Sequence, residues 1–132
     1  MKKIIIAVII LMLVCLVGCD NNNLPNKDYK DFNHLDHWDY FDDIEEKTII
    51  FYYSPFCEIC KSIEGKVTGY LVILEQDHPV YLVHEGMIYE QGTPPYDVIE
   101  VPSILVYENN QFEKISGSKP LLKFLAELTK NK

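Results

Sequence analysis

Thr48-Ile49-Ile50-Phe51-Tyr52-Tyr53-Ser54-Pro55-Phe56-Cys57-Glu58-Ile59-Cys60 is the stretch on which the reading of this chain turns. Its first six residues are β-branched or aromatic and apolar at both parities, the pattern of a central strand covered on both faces. Ser54-Pro55-Phe56 breaks the strand. From Cys57 to about Gln76 the spacing predicts a helix that turns Ile63, Val67, Tyr70, Leu71 and Leu74 inward. Gly65 and Gly69 inside it weaken the helix by about 1 kcal/mol each relative to Ala, and close packing would account for them. Cys57 then stands at a helix N-terminus, where free amide N–H groups and the positive end of the dipole favour thiolate over thiol. Cys60 follows one turn later, so the two sulfurs are placed to close a disulfide, one attacking and the other resolving.

Outward from this stretch, Val80 to Val83 reads as a second strand, followed by a Gly- and Pro-bearing excursion over Glu85 to Tyr96. Ser103 to Tyr107 and Phe112 to Ile115 read as two antiparallel strands joined by the tight polar link Glu108-Asn109-Asn110-Gln111. A final helix from Pro120 to about Lys130 buries Leu121, Leu125 and Leu128 with Phe124, Pro120 fitting its first turn. Upstream, Asn33 is placed to cap a helix over His34 to Glu46, whose Leu35, Trp38, Phe41 and Ile44 recur by threes along one side. The order gives an α/β domain with a central mixed sheet of four to five strands flanked by helices.

The strand Ile49 to Tyr53, the aromatic Phe56, the Cys57-x-x-Cys60 pair and Val101-Pro102 opening the strand Ser103 to Tyr107 together resemble the thioredoxin superfamily. The resemblance spans roughly Asn33 to Lys130 and implies a thioredoxin-like fold with thiol-disulfide exchange at Cys57 and Cys60. It carries to Pro102 a cis peptide facing the cysteine pair, which is uncommon without such a reason. To the Val101 backbone it carries pairing with an extended substrate, and it sets Phe56 beside the bound chain. Gly117 matches a small residue at the corresponding family position. Two departures narrow the reading. Phe51 stands where thioredoxins often bury an Asp, and Glu58-Ile59 separates the cysteines without the His of strongly oxidising relatives. A negative Glu58 raises the pKa of Cys57 if it moves it, which draws the pair toward a reductase. Membrane-tethered reductases of cytochrome c maturation often place Glu directly after the first cysteine, although this chain is too short for their usual central insertion.

Met1 to Cys19 has the layout of a secretion signal, with Lys2 and Lys3 ahead of the apolar run Ile4 to Val17. That run is short for a spanning helix, which needs about 20 apolar residues. Leu16-Val17-Gly18-Cys19 resembles the lipobox of bacterial lipoproteins, which assigns lipid attachment to Cys19 and discards Cys15 with the signal. Residues 1–18 are then a signal peptide, 19–32 the lipidated cysteine with a flexible polar tether, and 33–132 the folded domain. The domain is expected on the extracytoplasmic face of a bacterial membrane, where paired thiols do not stay passively reduced. Cys57 and Cys60 are the thiols left in the mature chain.

The full chain of 132 residues carries a net charge of −8. Without Lys2 and Lys3 the mature part holds ten basic against twenty acidic residues, which argues against nucleic acid and against electrostatic attachment to anionic lipid. All twelve basic residues are Lys, so guanidinium clamps on phosphate are absent from the chain. His34, His37, His78 and His84 have no ligand spacing, and two thiols supply half of a closed zinc site. No cofactor or metal is expected. The leading reading is a monomeric, membrane-anchored thiol-disulfide oxidoreductase that acts on protein or peptide substrates and is reset by a membrane redox partner. The alternative is a redox-inert binding or export-accessory module whose Cys57–Cys60 disulfide is structural.

Overall fold

The computed structural model describes residues 24–35, 37, 39–40, 44–86 and 100–130. The signal segment, Cys15, Cys19, Trp38, Phe41 and residues 87–99 of the excursion lie outside the described residues.

Four strands form one mixed sheet: β1 (Thr48–Tyr53), β2 (Val80–His84), β3 (Ser103–Glu108) and β4 (Gln111–Ser116), in the order β2-β1-β3-β4. β1 pairs parallel with β2 and antiparallel with β3, and β3 antiparallel with β4. Helix α1 (Glu58–Leu74) crosses from β1 to β2, and α2 (Ser118–Lys130) closes the described chain. The mixed sheet flanked by helices is the architecture expected from the sequence. Among the described residues no helix is long and apolar enough to cross a membrane.

Side chains on a strand alternate between faces, and β1 serves two cores at once. Ile49 and Phe51 join Val80, Leu82 and Ile104 under α1 and α2, which contribute Ile63, Val67, Leu71, Leu121 and Leu125. Ile50 and Tyr52 face the other way, with Val83, Leu105 and Tyr107. The β3–β4 link is a two-residue turn with Asn109 at φ 54° and Asn110 at φ 59°. Positive φ at both central positions is the primed turn that matches strand twist, and Asn tolerates it. Gly117, at φ 87°, donates its N–H to the Pro102 carbonyl at 3.0 Å and accepts the first bond of α2 from Leu121 at 3.1 Å. A side chain at position 117 would be strained in that backbone.

Three expectations are corrected. The helix over His34 to Glu46 does not start at Asn33. The Asn33 carbonyl accepts from Leu82 N–H at 2.8 Å and Leu35 N–H donates to the Leu82 carbonyl at 3.0 Å, so 33–35 is an extended bridge on the edge of β2. Bonds to the sheet edge use the groups a helix would need, and Leu35 is still buried. The polar stretch read as the end of a tether is packed: Tyr29 and Phe32 belong to the core under α1. Lys27 bonds Glu75 at 2.6 Å and lies 4.7 Å from the centre of the Phe32 ring. Finally, close packing does not explain Gly65 and Gly69, because a Cβ at either would meet nothing within 4 Å.

Candidate active site

The end of β1 is turned into α1 by Ser54. Its carbonyl accepts the Cys57 N–H at 3.2 Å, and its Oγ accepts the Phe56 N–H at 3.2 Å. Cys57 becomes the N-cap of α1, with extended backbone (φ −82°, ψ 109°), and its carbonyl takes the first helical bond from Lys61 at 3.1 Å. An N-cap atom that accepts from an amide one turn on satisfies a donor the helix leaves open. Here that atom is sulfur: the Cys60 N–H donates to Cys57 Sγ at 3.1 Å.

Cys57 and Cys60 are joined by a disulfide, with their Cα atoms 5.2 Å apart. Their surroundings differ. Cys60 is fully buried in the core under α1, while Cys57 lies at its border and is partly exposed. Phe56 and Ile59, on either side of Cys57, are 88% and 54% exposed. A groove of about 400 Å³ opens beside them, lined by Ser54, Pro55, Phe56, His84, Glu85 and Gly86.

β3 brings the second half of the site. Antiparallel pairing sets Ser103 opposite Tyr52, so Val101 and Pro102 arrive at the end of β1 that leads to Cys57. The Val101–Pro102 peptide is cis, and Val101 packs against the same core as Cys57. Ser103 Oγ fixes the entry to β3, donating to the Glu100 carbonyl at 2.6 Å with Ser116 Oγ at 2.8 Å.

The likeness in solved structures agrees with this arrangement. Mitochondrial thioredoxin 3 from Saccharomyces cerevisiae, in its oxidised form, is similar with a TM-score of 0.57 and 18% identity, over 80% of this chain and 100% of that one. The chain has a thioredoxin fold. Thioredoxin from Malassezia sympodialis matches with a TM-score of 0.55 and 18% identity, over 84% of this chain and 97% of its own. The first thioredoxin domain of mouse protein disulfide-isomerase A4 matches with a TM-score of 0.54 and 16% identity, over 86% of this chain and 84% of its own. No protein-family model matches, and no curated protein matches in sequence.

Within this thioredoxin fold the structure brings together Phe56, Cys57, Cys60, Val101 and Pro102, while Cys19 lies outside the described residues. It also adds residues that the sequence did not single out. Tyr29, only 6% exposed, donates its hydroxyl to the Cys60 carbonyl at 2.9 Å and its N–H to Glu64 Oε1 at 2.8 Å. Its ring sits 5.1 Å from Phe51 and 4.8 Å from Tyr53. Burial foremost, then the Glu64 charge, pushes both phenols above the usual tyrosine range. His34 Nδ1 lies 2.9 Å from the Phe32 carbonyl, which only accepts, and Nε2 lies 2.9 Å from the Tyr53 hydroxyl. No sequence signal marks Tyr29 beyond an aromatic pair, Tyr29 and Phe32, within a polar stretch. Among the described residues no group of three or more His, Cys, Asp or Glu is arranged to hold a metal ion.

Proposed function

We propose that the protein is a thiol-disulfide oxidoreductase, anchored by lipid on Cys19 to the extracytoplasmic face of a bacterial membrane. The observation that carries the redox reading is the asymmetry of the pair: Cys57 sulfur is at the helix N-cap with an amide aimed at it, and Cys60 is buried behind it. A thiolate at Cys57 gains from that amide and from the helix dipole.

In the reducing direction, Cys57 thiolate attacks one sulfur of a substrate disulfide. The substrate bond breaks, a mixed disulfide forms, and the departing substrate thiolate takes a proton from solvent. Cys60, giving up its proton, then attacks Cys57 Sγ and releases the second substrate sulfur as a thiol. One substrate disulfide becomes two thiols, and the Cys57–Cys60 dithiol becomes the disulfide. Val101 offers its backbone to an extended substrate beside Pro102, and Phe56 covers it. Exposed Phe56 and Ile59 suit a peptide with apolar residues near its cysteine. Glu58 beside Cys57 favours the reductase direction, with a membrane redox partner returning the disulfide to the dithiol.

Cys60→Ala tests the chemistry, because an attacking cysteine without its resolver accumulates mixed disulfides. Non-reducing gels of membranes carrying this variant are expected to show adducts that disappear on reduction and are missing from the Cys57→Ala variant. A folded Cys60→Ala chain that traps nothing sinks the proposal in favour of a structural disulfide. Cys19→Ser tests the anchor separately: the variant is expected to leave the detergent phase in which the unaltered chain partitions.

A further inference from the structure

The N-terminal segment reaches into the site through one side chain. Tyr29 grips one turn of α1 at two points, with its hydroxyl on the Cys60 carbonyl at 2.9 Å and its N–H on the Glu64 carboxylate at 2.8 Å. Cys60 is the residue whose own N–H donates to Cys57 Sγ at 3.1 Å. Its carbonyl has two lone pairs and takes the phenol in addition to the helical bond. The phenol ring packs against Phe51 and Tyr53 in the core under α1.

On the reading that Cys57 and Cys60 exchange disulfides, we propose that Tyr29 is a positioning residue for that reaction, its hydroxyl fixing the backbone of Cys60 and thereby the amide that faces the Cys57 sulfur. Phe51 on β1 offers no hydrogen bond to the Cys60 backbone, and Tyr29 of the segment before the sheet supplies one. Tyr29 stays protonated across the range in which a thiol titrates, since burial raises its pKa, and so it remains a donor throughout. With the hydroxyl gone, the first turn of α1 is less well fixed, Cys57 thiolate loses stabilisation, and the disulfide gains over the dithiol.

The test compares full-length chains in detergent: unaltered, Tyr29→Phe and Tyr107→Phe. Tyr107 hydroxyl donates to Asn110 Oδ1 at 2.9 Å at the hairpin, so its loss reports a missing hydrogen bond elsewhere in the sheet. Two quantities are read, the pH midpoint of iodoacetamide alkylation at Cys57 after chemical reduction, and the equilibrium with glutathione. Tyr29→Phe is expected to raise the midpoint by about half a pH unit. It is expected to move the glutathione equilibrium by up to about three-fold toward the disulfide, about 14 mV for a two-electron couple. Tyr107→Phe is expected to move neither. Glu58, Lys61 and Glu64 on α1, Tyr53 on β1, His84 at the end of β2, Glu85 after it, and Lys30 beside Tyr29 are the same in all three chains, so their charges cancel in the comparison. Fluorotyrosine placed at 29 keeps the hydroxyl as a stronger donor and is expected to lower the midpoint, which keeps the proposal open to refutation if Tyr29→Phe folds poorly. A midpoint that both changes at 29 leave untouched, or that Tyr107→Phe moves equally, overturns the proposal. An unaltered chain that never equilibrates with glutathione removes the redox function instead, and the alkylation midpoint still reads Tyr29.

Discussion

Cys57 Sγ accepts the backbone N–H of Cys60 at 3.1 Å, although Cys60 is itself fully buried and Cys57 borders solvent. One bond therefore links the accessible sulfur to the backbone of the shielded one. On reduction the same geometry ranks the two thiols: Cys57 is expected to be alkylated at least about ten-fold faster than Cys60, since reactivity follows thiolate fraction and access. Peptide mapping after a brief exposure to limiting iodoacetamide reads the ratio, and equal labelling of both cysteines contradicts it.

Phe51→Asp is expected to lower stability by at least about 3 kcal/mol, the scale of losing a buried aromatic side chain before any charge is counted. Phe51 is fully buried beside the rings of Tyr29 and Tyr53, whose hydroxyls already meet the Cys60 carbonyl and His34. Urea unfolding of the oxidised forms measures the loss. An unchanged midpoint would mean that the site accommodates a carboxylate at this position.

Gly65 and Gly69 face open space within α1, so Ala at either removes backbone entropy from the unfolded chain without a clash. Each replacement is expected to stabilise the protein by about 0.5–1 kcal/mol, and the pair to add. A lower urea midpoint for either variant would show that the fold itself needs glycine there, against the open space around both positions.

The glycines also mark where the sequence was silent. β1, α1 and the β3–β4 hairpin follow from local pattern, because β-branched runs, apolar spacing along Ile63, Val67, Leu71 and Leu74, and Asn109-Asn110 each act within a few residues. Cys57 at the N-cap was legible for the same reason. Asn33–Leu35 was not, since its hydrogen bonds go to Leu82, far along the chain, and such pairing overrides a spacing of three. Tyr29 reaches Cys60 and Glu64 across 31 and 35 positions, a contact no local pattern announces.

The same distant contacts set the boundary of the domain. A chain begun at residue 33 loses the Tyr29 and Phe32 side chains from the core and the Lys27–Glu75 pair from the end of α1. The expected loss is on the order of 5 kcal/mol, comparable with the whole stability of a small domain. A chain begun at residue 24 keeps all three contacts and is expected to unfold at the same urea concentration as the full chain. Equal midpoints for the two truncations would count the segment as a mere tether.

Alkaline titration probes the buried phenols together. Burial raises the pKa of Tyr29, Tyr53 and Tyr40 in the folded chain, with Glu64 adding to the first two and the hydrogen bond of the Tyr40 hydroxyl to Tyr81 adding to the third. An unfolded tyrosine ionises near about pH 10. Below that value both states hold the proton and these groups leave stability independent of pH. Above it the unfolded chain releases protons that the folded chain keeps, so stability falls as pH rises toward the folded pKa values. Urea midpoints of the oxidised protein, in which neither Cys57 nor Cys60 titrates, are expected to decline from about pH 10 upward. Tyrosinate absorbance should lag in the folded state. Tyr29→Phe removes one of the raised groups and is expected to make the decline shallower by up to one proton per molecule, while Tyr107→Phe leaves the contribution of Tyr29 in place. An identical slope in Tyr29→Phe and the unaltered chain would show that the Tyr29 phenol ionises as readily in the folded chain as in the unfolded one, against its burial and its bond to Cys60.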